Sequence, residues 1–139
     1  MFRKILIAND GSDGAFKALA AAIDIAERYQ SDLHMVCVEE LPRFPTTVDE
    51  VVEEREEEGR RFAKVIARAQ AAAKAKRLKL KSHVVAGHAV PAIINCVTEH
   101  GIDLLVVGFM GHSSLYNRII GSTADRLVEH APCTVLVAK

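Results

Sequence analysis

The chain has 139 residues, half of them hydrophobic, and its 18 lysines and arginines balance 18 aspartates and glutamates. This length and apolar content predict a single domain spanning residues 1–139. The balanced charge argues against nucleic-acid binding, and no apolar stretch approaches the ~20 residues that cross a membrane. The opening segment is typical of a strand rather than of a signal peptide, so we expect a cytoplasmic protein without membrane contact.

The first part of the chain alternates strand, helix and strand. The apolar run Ile5 to Ala8 has no polar alternation, which predicts a strand covered on both faces. Ser12 is placed to cap the next helix, whose apolar positions recur at helical spacing to about Tyr29. Leu33 to Val38 is predicted to be the second strand.

A long predicted helix occupies the middle of the chain. A loop with two prolines, Glu39 to Thr47, precedes it. Thr47 and Glu50 have the spacing of a capping box, and a helix with an apolar stripe is predicted to continue to about Lys76. The first half of this helix is acidic and the second half is basic, as the helix dipole favours. We therefore interpret these charges as a solvated helix face rather than a binding patch.

The remainder of the chain repeats the same alternation. Leu80 to Ala86 and Leu104 to Val107 are predicted strands, separated by a helix with Pro91 in its first turn. A short helix, Thr123 to Glu129, precedes a final strand, Thr134 to Ala138. The order βαβαβαβαβ predicts an α/β fold with a doubly wound, five-stranded parallel sheet and right-handed crossovers.

Three glycines follow the fourth predicted strand at a defined spacing. Gly108, Gly111 and Gly121 lead directly into Ser122 and Thr123, where the last helix begins. Glycines allow a backbone to approach a ligand closely, and successive N–H groups form a concavity that binds anions. A helix N-terminus adds free donors. The segment favours a phosphate-binding loop, although an ordinary strand-to-helix connection could contain the same residues.

Four segments together resemble the universal stress protein family. The Gly-x2-Gly-x9-Gly-Ser spacing is similar to the nucleotide-binding loop of that family. Lys4 to Ser12, Leu33 to Val36 and Pro132 to Val137 resemble its first, second and last strands. Phe109–Met110 departs from the family pattern, which has small or polar residues there, and Asn9 replaces a residue that is commonly apolar. The resemblance implies a Rossmann-like sheet in the order 3-2-1-4-5, with helices on both faces.

In that strand order a ligand site is expected between the ends of the first and fourth strands. The resemblance implies that ATP binds there, with Asp10 near its adenine and ribose; the alternative for Asp10 is a turn residue that caps the helix. Met35 and Val36 resemble residues that wall the adenine, or they are plain core, or both. The nucleotide-binding residues implied are Ala8, Asp10, Met35, Val107, Gly108, Gly111, His112, Gly121, Ser122 and Thr123.

The resemblance also implies how the rest of ATP is held. Gly108 would lie beneath the ribose, and the later loop glycines with Ser122 and Thr123 would hold the phosphates. Mg²⁺ or Mn²⁺ would be held by phosphate oxygens and water, because no acidic pair in the sequence is typical of a dedicated metal site.

Catalytic signatures are missing from the sequence. It has no Walker A motif, no Gly-x-Ser-x-Gly elbow and no His-Glu-x-x-His helix. The third predicted strand ends in Ala86–Gly87 and so lacks the phospho-accepting aspartate of a response-regulator receiver. Between Gly108 and Gly121 the cationic residue is Arg118. We expect an ATP-binding, nucleotide-responsive regulatory module with at most weak ATPase activity. A slow ATP hydrolase and a scaffold that binds no nucleotide remain the alternatives.

Two features of the sequence predict protein partners: the last strand and the apolar pair in the glycine loop. The last strand, Thr134 to Ala138, is expected at a sheet edge, which pairing would protect. The resemblance implies a homodimer in which these strands pair antiparallel about a two-fold axis. Phe109–Met110 would present apolar surface to an unknown protein partner, or would pack back onto the protein.

Overall fold

The computed structural model describes residues 1–40, 47–110 and 120–139. Strands and helices alternate through these ranges as the sequence predicts, with small shifts at their ends. The elements are β1 Lys4–Ala8, α1 Asp13–Tyr29, β2 Asp32–Glu40, α2 Val48–Ala75, β3 Leu80–Gly87, α3 Ala89–Glu99, β4 Leu104–Gly108, α4 Ser122–His130 and β5 Thr134–Ala138. Among the helices described, none is long and apolar enough to cross a bilayer.

The strands form one parallel sheet in the order β3-β2-β1-β4-β5, which confirms the predicted topology. β1 lies at the centre, where Ile7 pairs with Met35 of β2 on one side and with Val106 of β4 on the other. The chain winds outward from β1 in one direction through β2 and β3, and in the other through β4 and β5. This reversal opens a crevice beyond the carboxyl ends of β1 and β4.

Helices cover both faces of the sheet, so its strands are apolar on both sides. Adjacent residues of a strand point to opposite faces. Ile7 and Met35 pack with Phe62 of α2 in the core beneath α1 and α2. Leu6 packs with Leu127 in the core beneath α3 and α4. The continuous apolar runs of the sequence are therefore explained by burial on two sides.

The predicted helix caps are present. The Ser12 hydroxyl accepts a hydrogen bond from the Ala15 N–H at 3.2 Å at the start of α1. At the start of α2 the Thr47 hydroxyl accepts from the Glu50 N–H at 3.2 Å, and the Glu50 carboxylate accepts from the Thr47 N–H at 3.2 Å. These bonds satisfy N–H groups that a helix start leaves without partners.

Two glycines bring the backbone of α1 against the end of β4. A Cβ at Gly108 would lie 2.8 Å from the carbonyl carbon and oxygen of Gly14 and 3.1 Å from the nitrogen of Ala15. A Cβ at Gly14 would in turn meet the carbonyl oxygen of Met110. The absence of side chains at both positions thus fixes where the segment after β4 leaves the sheet.

Candidate functional site

A cavity of about 420 Å³ lies at the crevice between β1 and β4. Its volume is in the range of small-molecule sites, and its position is the one that the topology favours. The predicted site residues that line it are Ala8, Asp10, Val107, Gly108, Gly121, Ser122 and Thr123. The ends of β1 and β4, which are far apart in the chain, therefore meet the N-terminus of α4 around one space.

One side of the cavity is apolar. Val36 and Val38 of β2, Ile93 of α3, Val107 of β4 and Leu127 of α4 all line it. These side chains belong to the core between the sheet and the helices α3 and α4. Such a wall is suited to the flat, weakly hydrated surface of an aromatic ring.

Met35 does not line the cavity, so the structure favours its interpretation as plain core. The side chain is fully buried in the core beneath α1 and α2. The Nδ2 of Asn9 donates to its sulfur at 3.5 Å. Its neighbour Val36 points to the opposite face and supplies the wall instead. The hydrogen bond to Met35 also explains why the polar Asn9 is tolerated in the interior. Its buried side-chain amide has one partner in the core, Met35, and one in the turn, the Gly11 N–H.

The N-terminus of α4 forms another side of the cavity. Gly121 is the N-cap, with φ −61° and ψ 148°, and none of the described side chains caps the helix. The Gly121 N–H donates to the Phe109 carbonyl at 2.8 Å, which ties the helix start to the end of β4. The N–H groups of Ser122 and Thr123 belong to the first turn, whose donors have no partner within the helix. They combine with the helix dipole to favour an anion.

Asp10 lies at the exposed rim of the cavity. Its Oδ1 accepts a hydrogen bond from the Ser12 N–H at 2.9 Å, which shapes the turn between β1 and α1. The interpretation of Asp10 as a turn residue is thus supported by a direct contact. A contact between its carboxylate and a ligand stays a prediction.

Arg61 of α2 is a cavity residue that the sequence reasoning missed. Its Nη1 donates to the carbonyl oxygen of Asp10 at 2.7 Å, and its Nη2 lies 3.6 Å from Oε1 of Glu58. Of the described residues that line the cavity, it alone is cationic. Arg61 is one of many charged residues on α2, so the sequence does not distinguish it from the others. It directly precedes Phe62 of the apolar stripe, and this places it at the border between the buried and exposed faces of the helix.

Phe109 and Met110 are half-buried rather than displayed at a tip. The Phe109 N–H donates to the Ala138 carbonyl at 2.8 Å, and the Lys139 ammonium lies 5.2 Å from the Phe109 ring centre. This arrangement favours the interpretation in which the two side chains pack back onto the protein. Gly111, His112 and Arg118 lie outside the described residues.

The fold and the cavity together define a Rossmann-like α/β domain with a candidate ligand site at its switch point. The sequence model of the universal stress protein family matches residues 1–139. The chain therefore belongs to the universal stress protein family, as its glycine spacing indicated.

Relatives match over the full length of the chain. Universal stress protein YxiE of Bacillus subtilis is 30% identical over 151 residues, covering 100% of both chains. Universal stress protein UspA from Lactobacillus plantarum superposes with a TM-score of 0.90 at 30% identity, covering 99% of this chain and 97% of that one. A universal stress protein solved in complex with cAMP has a TM-score of 0.78 at 23% identity, covering 99% and 97%. That last likeness concerns the fold alone.

Proposed function

We propose that the cavity binds ATP and that the protein acts as a dimeric, nucleotide-responsive regulator in a stress response. The observation that carries this proposal is the meeting of three features at the switch point of the sheet: glycine backbone, an apolar wall, and a helix N-terminus that none of the described side chains caps. The helix end suits phosphate, and the apolar wall suits a base. The carboxylate of Asp10 lies where an amino or hydroxyl group could donate to it.

The charges of the cavity bear on the metal that accompanies ATP. Asp10, Glu40 and Glu58 line the cavity together with Arg61. Mg²⁺ is usually bound through substrate phosphates, water and one or two carboxylates rather than by an all-protein cage. The residues present therefore fit Mg²⁺ or Mn²⁺ held chiefly by the phosphates. The metal would offset phosphate charge that Arg61 alone cannot balance.

The most direct test measures which nucleotide the purified protein contains and which nucleotides it binds once emptied. We expect a denatured extract of the purified protein to contain adenine nucleotide. Titration calorimetry of the emptied protein with ATP, cAMP and GTP, each with Mg²⁺, would rank the ligands. Tighter binding of cAMP than of ATP would mean that the regulator responds to cAMP instead. Lack of binding to all three would support the scaffold alternative.

Replacement of Asp10 tests the adenine and ribose end of the site. Asp10→Ala should weaken ATP binding roughly ten- to a hundredfold, because a charged hydrogen bond contributes about 1.5–3 kcal/mol. Asp10→Asn is the matched control, since its amide oxygen can still accept from the Ser12 N–H and keep the turn. Calorimetric affinities unchanged in both variants would leave Asp10 with a role in the turn alone.

Turnover separates a regulator from an enzyme. Phosphoryl transfer to water needs a residue that orients the water in addition to cations on the developing charge. Arg61 is already bonded to the Asp10 carbonyl and paired with Glu58. We expect phosphate release below about one turnover per minute, against ~10 per second for a typical enzyme. Release at enzyme-like rates that Arg61→Ala or Arg118→Ala abolishes would favour the hydrolase.

Dimerisation is proposed to occur through β5, which is an edge strand. The Ala138 carbonyl points toward β4, because it accepts from the Phe109 N–H. Backbone groups alternate in direction along a strand, so the Val135 N–H faces the free edge. Such an edge, with its partly buried apolar side chains, invites pairing with a second copy.

Val135→Pro should therefore convert dimers to monomers while β5 stays paired with β4. Light scattering should fall from twice the 15.2 kDa mass of the chain to that mass. Val135→Thr retains the N–H and the β-branch, and it should remain dimeric. A parent protein that is monomeric at micromolar concentration would contradict the proposal.

A further inference from the structure

A cluster of three histidines lies away from the nucleotide cavity. His34 is on β2, His83 is on β3 and His100 is the C-cap of α3. Ala89 and Ile93, near the start of α3, line the cavity, so the cluster is at the opposite end of that helix. His34 is only 6% exposed, and the other two are half-buried.

The side chains converge closely. The Nδ1 of His34 lies 3.0 Å from the Nε2 of His83. The rings of His83 and His100 are stacked with centroids 4.2 Å apart, and each lies 5.3 Å from the ring of His34. One nitrogen from each of the three rings lies within 4.8 Å of the other two. Ligand nitrogens on a tetrahedral zinc ion are roughly 3.3 Å apart, given Zn–N bonds of about 2.0–2.1 Å.

The fold determines this convergence. Val36 pairs with His83 in the register of β2 and β3, so His34 and His83 point to the same face from neighbouring strands. The His100 N–H bonds to the Cys96 carbonyl at 3.1 Å, which fixes the end of α3 above them. Two regular strands and a helix end therefore hold the three rings, and no ligand comes from a loop.

The surroundings of His34 and His83 favour the neutral imidazole, which is the form that binds metals. Burial, together with the neighbouring His83 and His100, lowers the pKa of His34 to about 4. Burial also lowers the pKa of His83. Asp32 raises the pKa of His34 and Glu99 raises that of His83, whereas Lys81 lowers both. Metal ligation requires neutral imidazole, so the lowered pKa values of His34 and His83 are compatible with the geometry of the cluster.

We propose that His34, His83 and His100 form a binding site for a divalent transition-metal ion, with Zn²⁺ the expected occupant and water completing a tetrahedral shell. Three imidazole nitrogens are a ligand set that suits zinc, copper and nickel rather than magnesium or calcium. The ion would join the end of α3 to β2 and β3. Histidines that merely stack as part of the packing are the alternative.

The test uses nucleotide-free protein without a histidine tag. Zn²⁺ titrated against a chromophoric chelator should bind at one equivalent with a Kd below about 10 μM. Co²⁺ in its place should give the visible absorption bands of a tetrahedral site. His100→Gln, at a half-buried helix end, and His83→Gln should each weaken Zn²⁺ binding at least about tenfold. Far-ultraviolet dichroism would verify that both variants fold.

His130→Gln is the matched control, because His130 lies on α4 beside Glu129 with its side chain 55% exposed. It should bind Zn²⁺ as the parent does. ATP affinity should be the same in all three variants, since none of these residues lines the cavity. The proposal would be overturned by a parent that binds no zinc, or by His83→Gln and His100→Gln proteins that bind it as tightly as the parent.

Discussion

Gly121→Val is expected to abolish ATP binding, with affinity at least about a hundredfold weaker, equivalent to about 2.7 kcal/mol. Gly121 lines the cavity as the N-cap of α4. A branched side chain there would intrude where phosphate must approach the N–H groups of Ser122 and Thr123. Because φ −61° and ψ 148° are open to any residue, the backbone itself should accept valine.

Binding and folding can therefore be separated in this variant. Far-ultraviolet dichroism and the denaturant midpoint should stay close to those of the parent protein, while calorimetry shows no heat from ATP. Gly59→Ala is the matched control, since a Cβ at Gly59 has no neighbour within 4 Å. It should bind ATP normally and gain up to about 1 kcal/mol of stability in α2. If Gly121→Val bound ATP like the parent, the phosphates would have to lie elsewhere.

Gly108→Ala is expected to have its largest effect on stability. Its Cβ would lie 2.8 Å from backbone atoms of Gly14, which cannot move aside as a flexible side chain could. Overpacking of this kind costs about 1–3 kcal/mol. The denaturant midpoint should fall with an unchanged slope. Because the displaced end of β4 also borders the cavity, ATP affinity should decline as well.

This outcome would assign Gly108 a role that differs from the one implied by family resemblance. The resemblance places this glycine beneath a ribose, whereas the structure shows it against the first turn of α1. A Gly108→Ala protein as stable as the parent but unable to bind ATP would favour the ribose role alone. Gly59→Ala again provides the reference for a tolerated substitution.

Local patterns were sufficient to predict the elements of this fold. Continuous apolar runs such as Ile5 to Ala8 identify strands that are buried on both faces, and Thr47 with Glu50 identifies a helix start. The order of the strands came from family resemblance, because apolar runs alone do not specify which strands are neighbours. That order is confirmed.

The candidate site was predictable where it follows from strand ends and from the glycine spacing before the last helix, which identified Gly121, Ser122 and Thr123. Asp10, Val107 and Gly108 were found because residues that end parallel strands meet at one edge. Met35 and Val36 were both considered for the wall, and of the two only Val36 lines the cavity, since two adjacent apolar residues do not reveal which one faces which helix layer. Arg61 was missed because its contact with the Asp10 carbonyl joins segments that are far apart in the chain.

The histidine cluster was also beyond the reach of the sequence. His34, His83 and His100 are widely separated and have no metal-binding spacing. They meet because strand register and the length of α3 bring them to one end of the sheet. Residues that meet only through the fold have no characteristic spacing in the sequence from which their contact could be predicted.

The cavity takes its lining from the first strand and from the last helix, with contributions from α1, β2, α2, α3 and β4 between them. Local unfolding of any of these segments would destroy it. A ligand that binds only the intact cavity must therefore stabilise the whole chain, by about 2.7 kcal/mol when its concentration is a hundred times its Kd. Resistance to heat and to proteases would then rise and fall with the supply of that ligand. The abundance of the protein could thus report the metabolic state of the cell without any change in its conformation.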